Sequence, residues 1–198
     1  MASNILTIPN LLTFLRMALI PVFAILLFYG RFGWALFVFF IAGISDGIDG
    51  FVARRFNQQT ELGTILDPIA DKLLMTTAFI ILALPGVFPA EPHLRHLPVR
   101  PWVSVAVIGR DILIVVVAAA IFITTNFRGF RPSWLGKAST VVQIFAVILI
   151  LIAAVFPSLQ GFYLPTVYTT TVAFAVFSGV HYIFHVAQLM KEEDKKDD

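Results

Sequence analysis

The sequence predicts an all-α integral membrane protein with six transmembrane helices. Two observations lead to this fold class. Of the 198 residues, 59% are hydrophobic and only 13% are charged, and the mean hydropathy of +0.89 lies far above that of ordinary soluble domains. The apolar residues also fall into separate stretches, each long enough to form a membrane-spanning helix.

A spanning helix needs about 20 mostly apolar residues, and six stretches of the chain reach that length. Turn-forming or polar residues separate them, such as the glycines at 30 and 33 and the proline-rich segment 85–101. No linker indicates a second domain, so we treat 1–198 as one transmembrane domain. The predicted spans are 11–29, 34–56, 66–84, 102–124, 135–156 and 164–190.

The distribution of Lys and Arg predicts the orientation. With six spans both termini lie on the same side of the membrane. That side carries Arg54, Arg55, Arg128, Arg131, Lys137, Lys191, Lys195 and Lys196, while the other carries Arg31, Arg95 and Arg100. The positive-inside rule therefore places both termini in the cytoplasm. The net charge of +2, without a basic run, gives no indication of a nucleic-acid partner.

Four aspartates stand at the predicted turn between the second and third spans. Asp46 and Asp49 are three residues apart, and Asp67 and Asp71 are four apart, so each pair lies on one helix face. Both pairs are expected at one depth, near the cytoplasmic membrane face. Ionised carboxylates are costly in an apolar interior and repel one another, so bound cations are the simplest way to stabilise them.

Oxygen ligands on two helices suit hard divalent cations, Mg²⁺ or Mn²⁺. Two such ions can hold a diphosphate and stabilise a displacement at phosphorus. Helix packing by polar pairs is the structural alternative. We expect Arg54 and Lys72 to neutralise at most two of the four acids, which favours the polar metal site.

The residues between the acids fit an anionic ligand. Gly50 and Ala53 leave one face of the second helix bare, Gly63 allows a tight turn into the third, and Arg54 supplies a planar cation for phosphate.

Together these residues form the string Asp46-x2-Asp49-Gly50-x2-Ala53-Arg54-x8-Gly63-x3-Asp67-x3-Asp71. This string resembles the signature of the CDP-alcohol phosphatidyltransferase family, and every fixed position matches. The resemblance implies six-helix membrane enzymes, usually homodimers, that transfer a phosphatidyl group from CDP-diacylglycerol to an alcohol and release CMP.

The resemblance also implies roles for individual residues. Asp46, Asp49 and Asp67 would bind the first of two divalent cations, and Asp67 and Asp71 would contact the second. Asp71 would be the general base for the acceptor hydroxyl. The segment 8–16 resembles the one that lines the nucleotide site, although Asn10 could equally be a helix cap after Pro9. The predicted CDP-lipid site comprises Asn10, Thr13, Gly50, Ala53, Arg54, Thr60 and Gly63.

The acceptor site is predicted from cations in the second half of the chain. Arg110 lies inside the fourth span, and Arg131 and Lys137 flank the start of the fifth. If they converge near the acids, they could hold a phosphate on the acceptor. Alternatively, Arg110 pairs with the neighbouring Asp111, and the other two are interfacial anchors.

Two subgroups of the family fit these features and differ in acceptor. The opening segment resembles bacterial phosphatidylglycerophosphate synthases, whose acceptor is glycerol 3-phosphate and whose location would be the inner membrane. The stretches 109–113 and 132–143 resemble CMP-forming cardiolipin synthases, whose acceptor is phosphatidylglycerol. The short chain and its opening favour glycerol 3-phosphate.

A function of another class is also compatible with the composition. Acids within a six-helix bundle could form the translocation site of a transporter or cation channel. A pore would not require Gly50, Ala53 and Arg54 beside the acids.

Overall fold

The computed structural model describes residues 7–55, 60–88, 97, 99–125 and 133–197. Within these ranges the chain is all-helical and contains no strand, which confirms the predicted all-α class. A short 3₁₀ turn at Pro157–Leu159 precedes the last helix. The six α-helices are α1 Ile8–Phe28, α2 Phe32–Arg55, α3 Glu61–Ala83, α4 Pro101–Thr125, α5 Trp134–Val155 and α6 Gln160–Asp197.

Hydroxyl side chains cap the odd-numbered helices. Thr7 precedes α1, Thr60 precedes α3 and Ser133 precedes α5. Each hydroxyl oxygen accepts a hydrogen bond from the backbone N–H three residues on, at 3.4, 3.0 and 3.0 Å respectively. These N-caps satisfy amide groups that have no partner within the helix. They also fix the residues at which α1, α3 and α5 begin, and the first turns of these helices carry candidate site residues.

The helix α1 packs against α2 and α3, α5 packs against α2 and α6, and α4 packs against α6. Phe23, Leu27, Phe79, Leu82 and Ile150 are fully buried in the apolar core between them. Large apolar side chains also cover the outside, and these include Ile25, Phe37, Val115, Ile123, Phe145 and Phe177. Apolar residues on both the inside and the outside are expected of helices that are surrounded by lipid.

In the part of the chain that the structure describes, four helical stretches are long and apolar enough to cross a membrane, at Pro9–Phe28, Pro101–Ile123, Trp134–Val155 and Tyr163–Met190. In α2 the apolar part is shorter, Phe32–Ile48. The predicted acids account for this difference, because Asp46 and Asp49 lie near the end of α2 and Asp67 and Asp71 lie in α3. The charged residues of the candidate site therefore lower the mean hydropathy of α2 and α3, the two helices that carry them.

The first turns of α1 and α3 approach each other closely at Gly63, which is buried. A Cβ atom at this position would lie 2.8 Å from Asn10 Oδ1 and 3.1 Å from Thr60 Oγ1. Glycine at 63 therefore permits the contact between the two helices. It lies within α3 and has no positive φ, so the tight turn that the sequence predicts at this glycine is wrong.

We predict that Gly63→Ala destabilises the fold by about 1 to 3 kcal/mol, because the methyl group must displace Asn10 and the Thr60 cap. Thermal unfolding in detergent measures this loss. Gly161→Ala is the matched control, since no atom lies within 4 Å of the added Cβ, and its stability should be unchanged. In a double-mutant cycle, Asn10→Ala should relieve part of the cost. Additive effects of the two changes would contradict the proposed close contact.

Candidate active site

A row of polar side chains on α1 forms one side of the site. Asn10, Thr13 and Arg16 are spaced three residues apart, so they lie on one helix face, and all three are buried. The Thr60 hydroxyl donates to Asn10 Oδ1 at 2.7 Å, and Thr13 Oγ1 donates to Asp67 Oδ1 at 2.5 Å. Thr60 and Asp67 occur along the chain in the same order as their partners on α1, so α1 and α3 run parallel here.

Arg16 completes this row and connects three helices. Its Nη2 lies 2.8 Å from Asp46 Oδ1 on α2, and its Nη1 lies 2.9 Å from Asp71 Oδ1 on α3. The arginine side chain is 0% exposed, whereas those of Asp46 and Asp71 are 45% and 48% exposed. The guanidinium therefore contacts the two carboxylates from the protein interior and leaves part of each acid accessible.

A cavity of about 260 Å³ lies on the accessible side of the two acids. Its polar wall consists of Asp46, Asp71 and Thr140. The rest of the wall is apolar and comes from α2, α3 and α5, namely Phe39, Phe40, Ala42, Gly43, Ile44, Leu74, Met75, Ile144 and Ile148. A cavity with carboxylates beside such a wall has the polarity pattern of an amphiphile, with one charged end and one apolar end.

Three of the four predicted acids, Asp46, Asp67 and Asp71, meet the polar face of α1. The backbone of Asp49, Gly50, Ala53 and Arg54 continues α2, but the side chains of these residues lie outside the described part of the structure. The roles predicted for them stay predictions.

Asp46 and Asp71 have partly exposed carboxylates that border the cavity, and carboxylate oxygens are suitable ligands for a hard divalent cation. Within the described ranges, no three acidic or histidine side chains converge as a metal-binding group. Asp46 and Asp71 each have an oxygen directed to Arg16.

Lys72 forms its ion pair with an acid outside this group of aspartates. Its Nζ lies 2.7 Å from Asp111 Oδ2 on α4. The same carboxylate accepts a 2.7 Å contact from Arg110 Nη1 at its other oxygen. The sequence could not place Lys72, because the lysine and Asp111 are distant along the chain and meet only when α3 packs beside α4.

Arg110 pairs with Asp111, which is the alternative that the sequence leaves open. Its Nε and Nη2 donate to Ser178 Oγ at 3.2 and 2.8 Å, and Nη2 also donates to the Gly136 carbonyl at 3.3 Å. This buried guanidinium thus joins α4 to α5 and α6. Thr140 Oγ1 donates to the same Gly136 carbonyl at 3.2 Å, and Thr140 borders the cavity.

Of the two other predicted acceptor residues, Lys137 and Arg131, the structure describes Lys137. Lys137 is exposed in the first turn of α5, directly after Gly136. Arg131 lies outside the described residues. Asn10, for which the sequence left a capping role open, is not the N-cap of α1, because Thr7 occupies that position.

Sequence reasoning missed Arg16 as part of the acid site. One signal could have revealed it, since an arginine within an apolar span requires a partner and Arg16 continues the three-residue spacing of Asn10 and Thr13. The choice of partner depends on which helices pack together, and this is visible only in the structure.

Comparison with known proteins agrees with this geometry. The family model described as CDP-alcohol phosphatidyltransferase matches residues 6–181. The human CMP-forming cardiolipin synthase is 30% identical, over 96% of this chain and 66% of its own length. The CMP-forming cardiolipin synthase of Streptomyces coelicolor is 31% identical, over 76% of this chain and 67% of its own.

A relative with a different name is similar to the same degree. The CDP-diacylglycerol–glycerol-3-phosphate 3-phosphatidyltransferase of Blochmanniella floridana is 34% identical, over 75% of both chains. The chain spans about two thirds of the length of the human protein. Because the family model covers most of the sequence, including the acids and the α1 residues that contact them, this chain belongs to the CDP-alcohol phosphatidyltransferase family.

Proposed function

We propose that this chain transfers the phosphatidyl group of CDP-diacylglycerol to an alcohol and releases CMP, in phospholipid biosynthesis. The observation that carries this proposal is the meeting of acids from α2 and α3 with the buried polar face of α1, beside a cavity with an apolar wall. Membership of the family and the names of its relatives support the same reaction.

In this reaction the acceptor hydroxyl oxygen forms a bond to the phosphorus that carries diacylglycerol. The bond from that phosphorus to the bridging oxygen of the diphosphate breaks, and CMP leaves with the electron pair. Asp71 takes the proton of the acceptor hydroxyl as general base. Its carboxylate is half exposed and borders the cavity, so it can contact a substrate there.

Two divalent cations, Mg²⁺ or Mn²⁺, would be held by Asp46, Asp49, Asp67 and Asp71. Such ions supply charge stabilisation for a diphosphate that is displaced at phosphorus. The oxygen donor set and the exposed parts of Asp46 and Asp71 support this assignment.

The CDP-lipid would be bound by Asn10, Thr13, Gly50, Ala53, Arg54, Thr60 and Gly63. The four of these with described surroundings lie together at the first turns of α1 and α3, next to Asp67. Asn10 and Thr13 already hold α3 in place through Thr60 and Asp67, so they organise this end of the site. The apolar wall of the cavity would accommodate the diacylglycerol part.

The acceptor would be glycerol 3-phosphate, held by Arg110, Arg131 and Lys137. The Gly136 carbonyl connects Arg110 to Thr140 on the wall of the cavity that Asp46 and Asp71 also border, and this supports a role for Arg110. Phosphatidylglycerol is the second candidate acceptor, because two of the relatives are CMP-forming cardiolipin synthases.

In the membrane, all six helices would span the bilayer with both termini in the cytoplasm, and the enzyme would be a homodimer in the inner membrane of a bacterium. The helices α2 and α3 have 24 and 23 residues, which at about 1.5 Å per residue suffices to cross the hydrocarbon core. Their acids would lie near the cytoplasmic face.

Removal of divalent ions and loss of the base should each abolish activity. We expect CMP release from CDP-diacylglycerol to stop in EDTA and to return with Mg²⁺ or Mn²⁺. Asp71→Asn should lower kcat by at least about 100-fold, because proton transfer to a positioned base typically contributes that much. The CMP assay is combined with thermal unfolding to verify the fold. Thr169→Ala, an exposed change on α6, is the control and should retain activity.

Undiminished CMP release in EDTA would contradict the proposed metal site, and the absence of CMP release with Mg²⁺ or Mn²⁺ present would contradict the proposed reaction. Cation flux through liposomes without CDP-lipid, together with no CMP release, would favour the transporter or channel.

The acceptor site is tested by separate Michaelis constants for the two substrates. Lys137→Ala and Arg110→Ala should raise the KM for glycerol 3-phosphate at least about tenfold, because each removes a charge-assisted contact to phosphate. The KM for CDP-diacylglycerol should change little. Lys137 is exposed, so its removal leaves no buried cavity, and exposed Arg100→Ala is the charge-matched control.

An unchanged KM for glycerol 3-phosphate in both variants would exclude these cations from the acceptor site. Formation of cardiolipin from phosphatidylglycerol, with no product from glycerol 3-phosphate, would make phosphatidylglycerol the acceptor.

A further inference from the structure

Arg16 contacts two acids of the cavity wall from the side that faces the protein interior. Its guanidinium is 0% exposed and contacts Asp46 and Asp71. Both acids line the cavity, but Arg16 does not belong to its wall. The arginine therefore acts on the acids from behind, and a ligand in the cavity would meet the carboxylates first.

The charge of Arg16 cannot be removed by a change of pH in the physiological range, because a guanidinium remains protonated there. Asp46 and Asp71 are each about half exposed, and two neighbouring carboxylates that are partly shielded from water repel each other when no counter-charge is present. In the protein without bound metal, the arginine supplies that counter-charge to acids on two different helices.

We propose that Arg16 is a built-in counter-ion of the candidate metal site, which stabilises the metal-free fold and lowers the affinity for divalent cations. This inference rests on the proposed metal site of Asp46, Asp49, Asp67 and Asp71. An incoming cation next to Asp46 and Asp71 experiences repulsion from the nearby guanidinium. The arginine therefore sets the affinity through its charge without contacting the substrate.

The same contacts hold the metal-free site together. Arg16 joins α1 to α2 and to α3 through the two carboxylates. Without it, Asp46 and Asp71 would repel each other until a cation bound. The stability of a protein without Arg16 should then depend on divalent ions. The wild-type protein should not depend on them to the same degree, because the Arg16 guanidinium already compensates the two acids.

The experiment uses the full chain in detergent, without CDP-lipid. Electron paramagnetic resonance of free Mn²⁺ gives the dissociation constant, and thermal unfolding is followed in EDTA and in saturating Mn²⁺. Arg16→Met removes the charge and keeps an apolar stem of similar length. Arg16→Lys keeps the charge, and Arg31→Met, at an exposed position in the turn after α1, is the matched control.

Arg16→Met should bind Mn²⁺ at least about tenfold more tightly than wild type. It should unfold at a lower temperature in EDTA, and saturating Mn²⁺ should restore most of that loss. Arg16→Lys and Arg31→Met should bind Mn²⁺ as wild type does. Arg16→Gln, which is uncharged but can still donate hydrogen bonds to the acids, carries the same expectation as Arg16→Met and replaces it if that variant does not fold.

Unchanged or weaker Mn²⁺ binding in the folded uncharged variants would overturn the counter-ion role, since an arginine that only orients the acids would weaken binding when removed. Folded wild-type protein that binds no Mn²⁺ would instead refute the proposed metal site itself.

Discussion

Two ion pairs of Arg16, at 2.8 Å to Asp46 and 2.9 Å to Asp71, connect α1, α2 and α3 within a mostly apolar helix bundle. Lipid does not drive helices together by the hydrophobic effect, so close packing and polar contacts decide how they associate. A charged group in such surroundings also needs a partner of opposite charge. Removal of Arg16 would therefore leave two acids uncompensated where three helices meet.

A second polar centre follows the same rule in the other half of the bundle. Arg110 and Lys72 share the carboxylate of Asp111, and Arg110 also contacts α5 and α6 through Gly136 and Ser178. The helix α3 takes part in both centres, since Asp71 contacts Arg16 and the next residue, Lys72, contacts Asp111. The cavity beside Asp46 and Asp71 is bordered by Thr140, which shares the Gly136 carbonyl with Arg110. The acids and Arg110 thus lie on neighbouring helices, which is compatible with the proposed transfer between two substrates.

The sequence predicted the helices well because hydropathy and turn residues identify apolar segments. The helix ends differ from the predicted span ends where an N-cap residue or a polar extension of the helix sets the boundary. The first segment was expected from residue 11, but α1 begins at Ile8 after the Thr7 cap. The last predicted span ends at 190, as does the apolar part of α6, whereas the helix itself continues to Asp197, because hydropathy detects the apolar part of a helix and not its polar extension.

Within the candidate site, spacing along the chain could group Asp67 with Asp71 on one face, and the adjacency of Arg110 and Asp111 suggested their pairing. The contacts of Arg16 and of Lys72 could not be derived in this way. The helical period of the sequence indicates which residues share a helix face. The residue that each of them contacts on another helix depends on how the helices pack together. The signature string concentrates on α2 and α3 and therefore contains no information about the helix α1 that completes the site.

The proposed divalent-cation site beside the cavity consists of the acids of α2 and α3. The most direct measurement is an anomalous difference map from crystals of the protein with Mn²⁺ and CDP-diacylglycerol. We expect manganese density within about 2.2 Å of carboxylate oxygens of Asp46, Asp67 and Asp71, with the lipid diphosphate next to it. A map that contains the bound lipid but no manganese at these carboxylates would show that they are not a divalent-cation site.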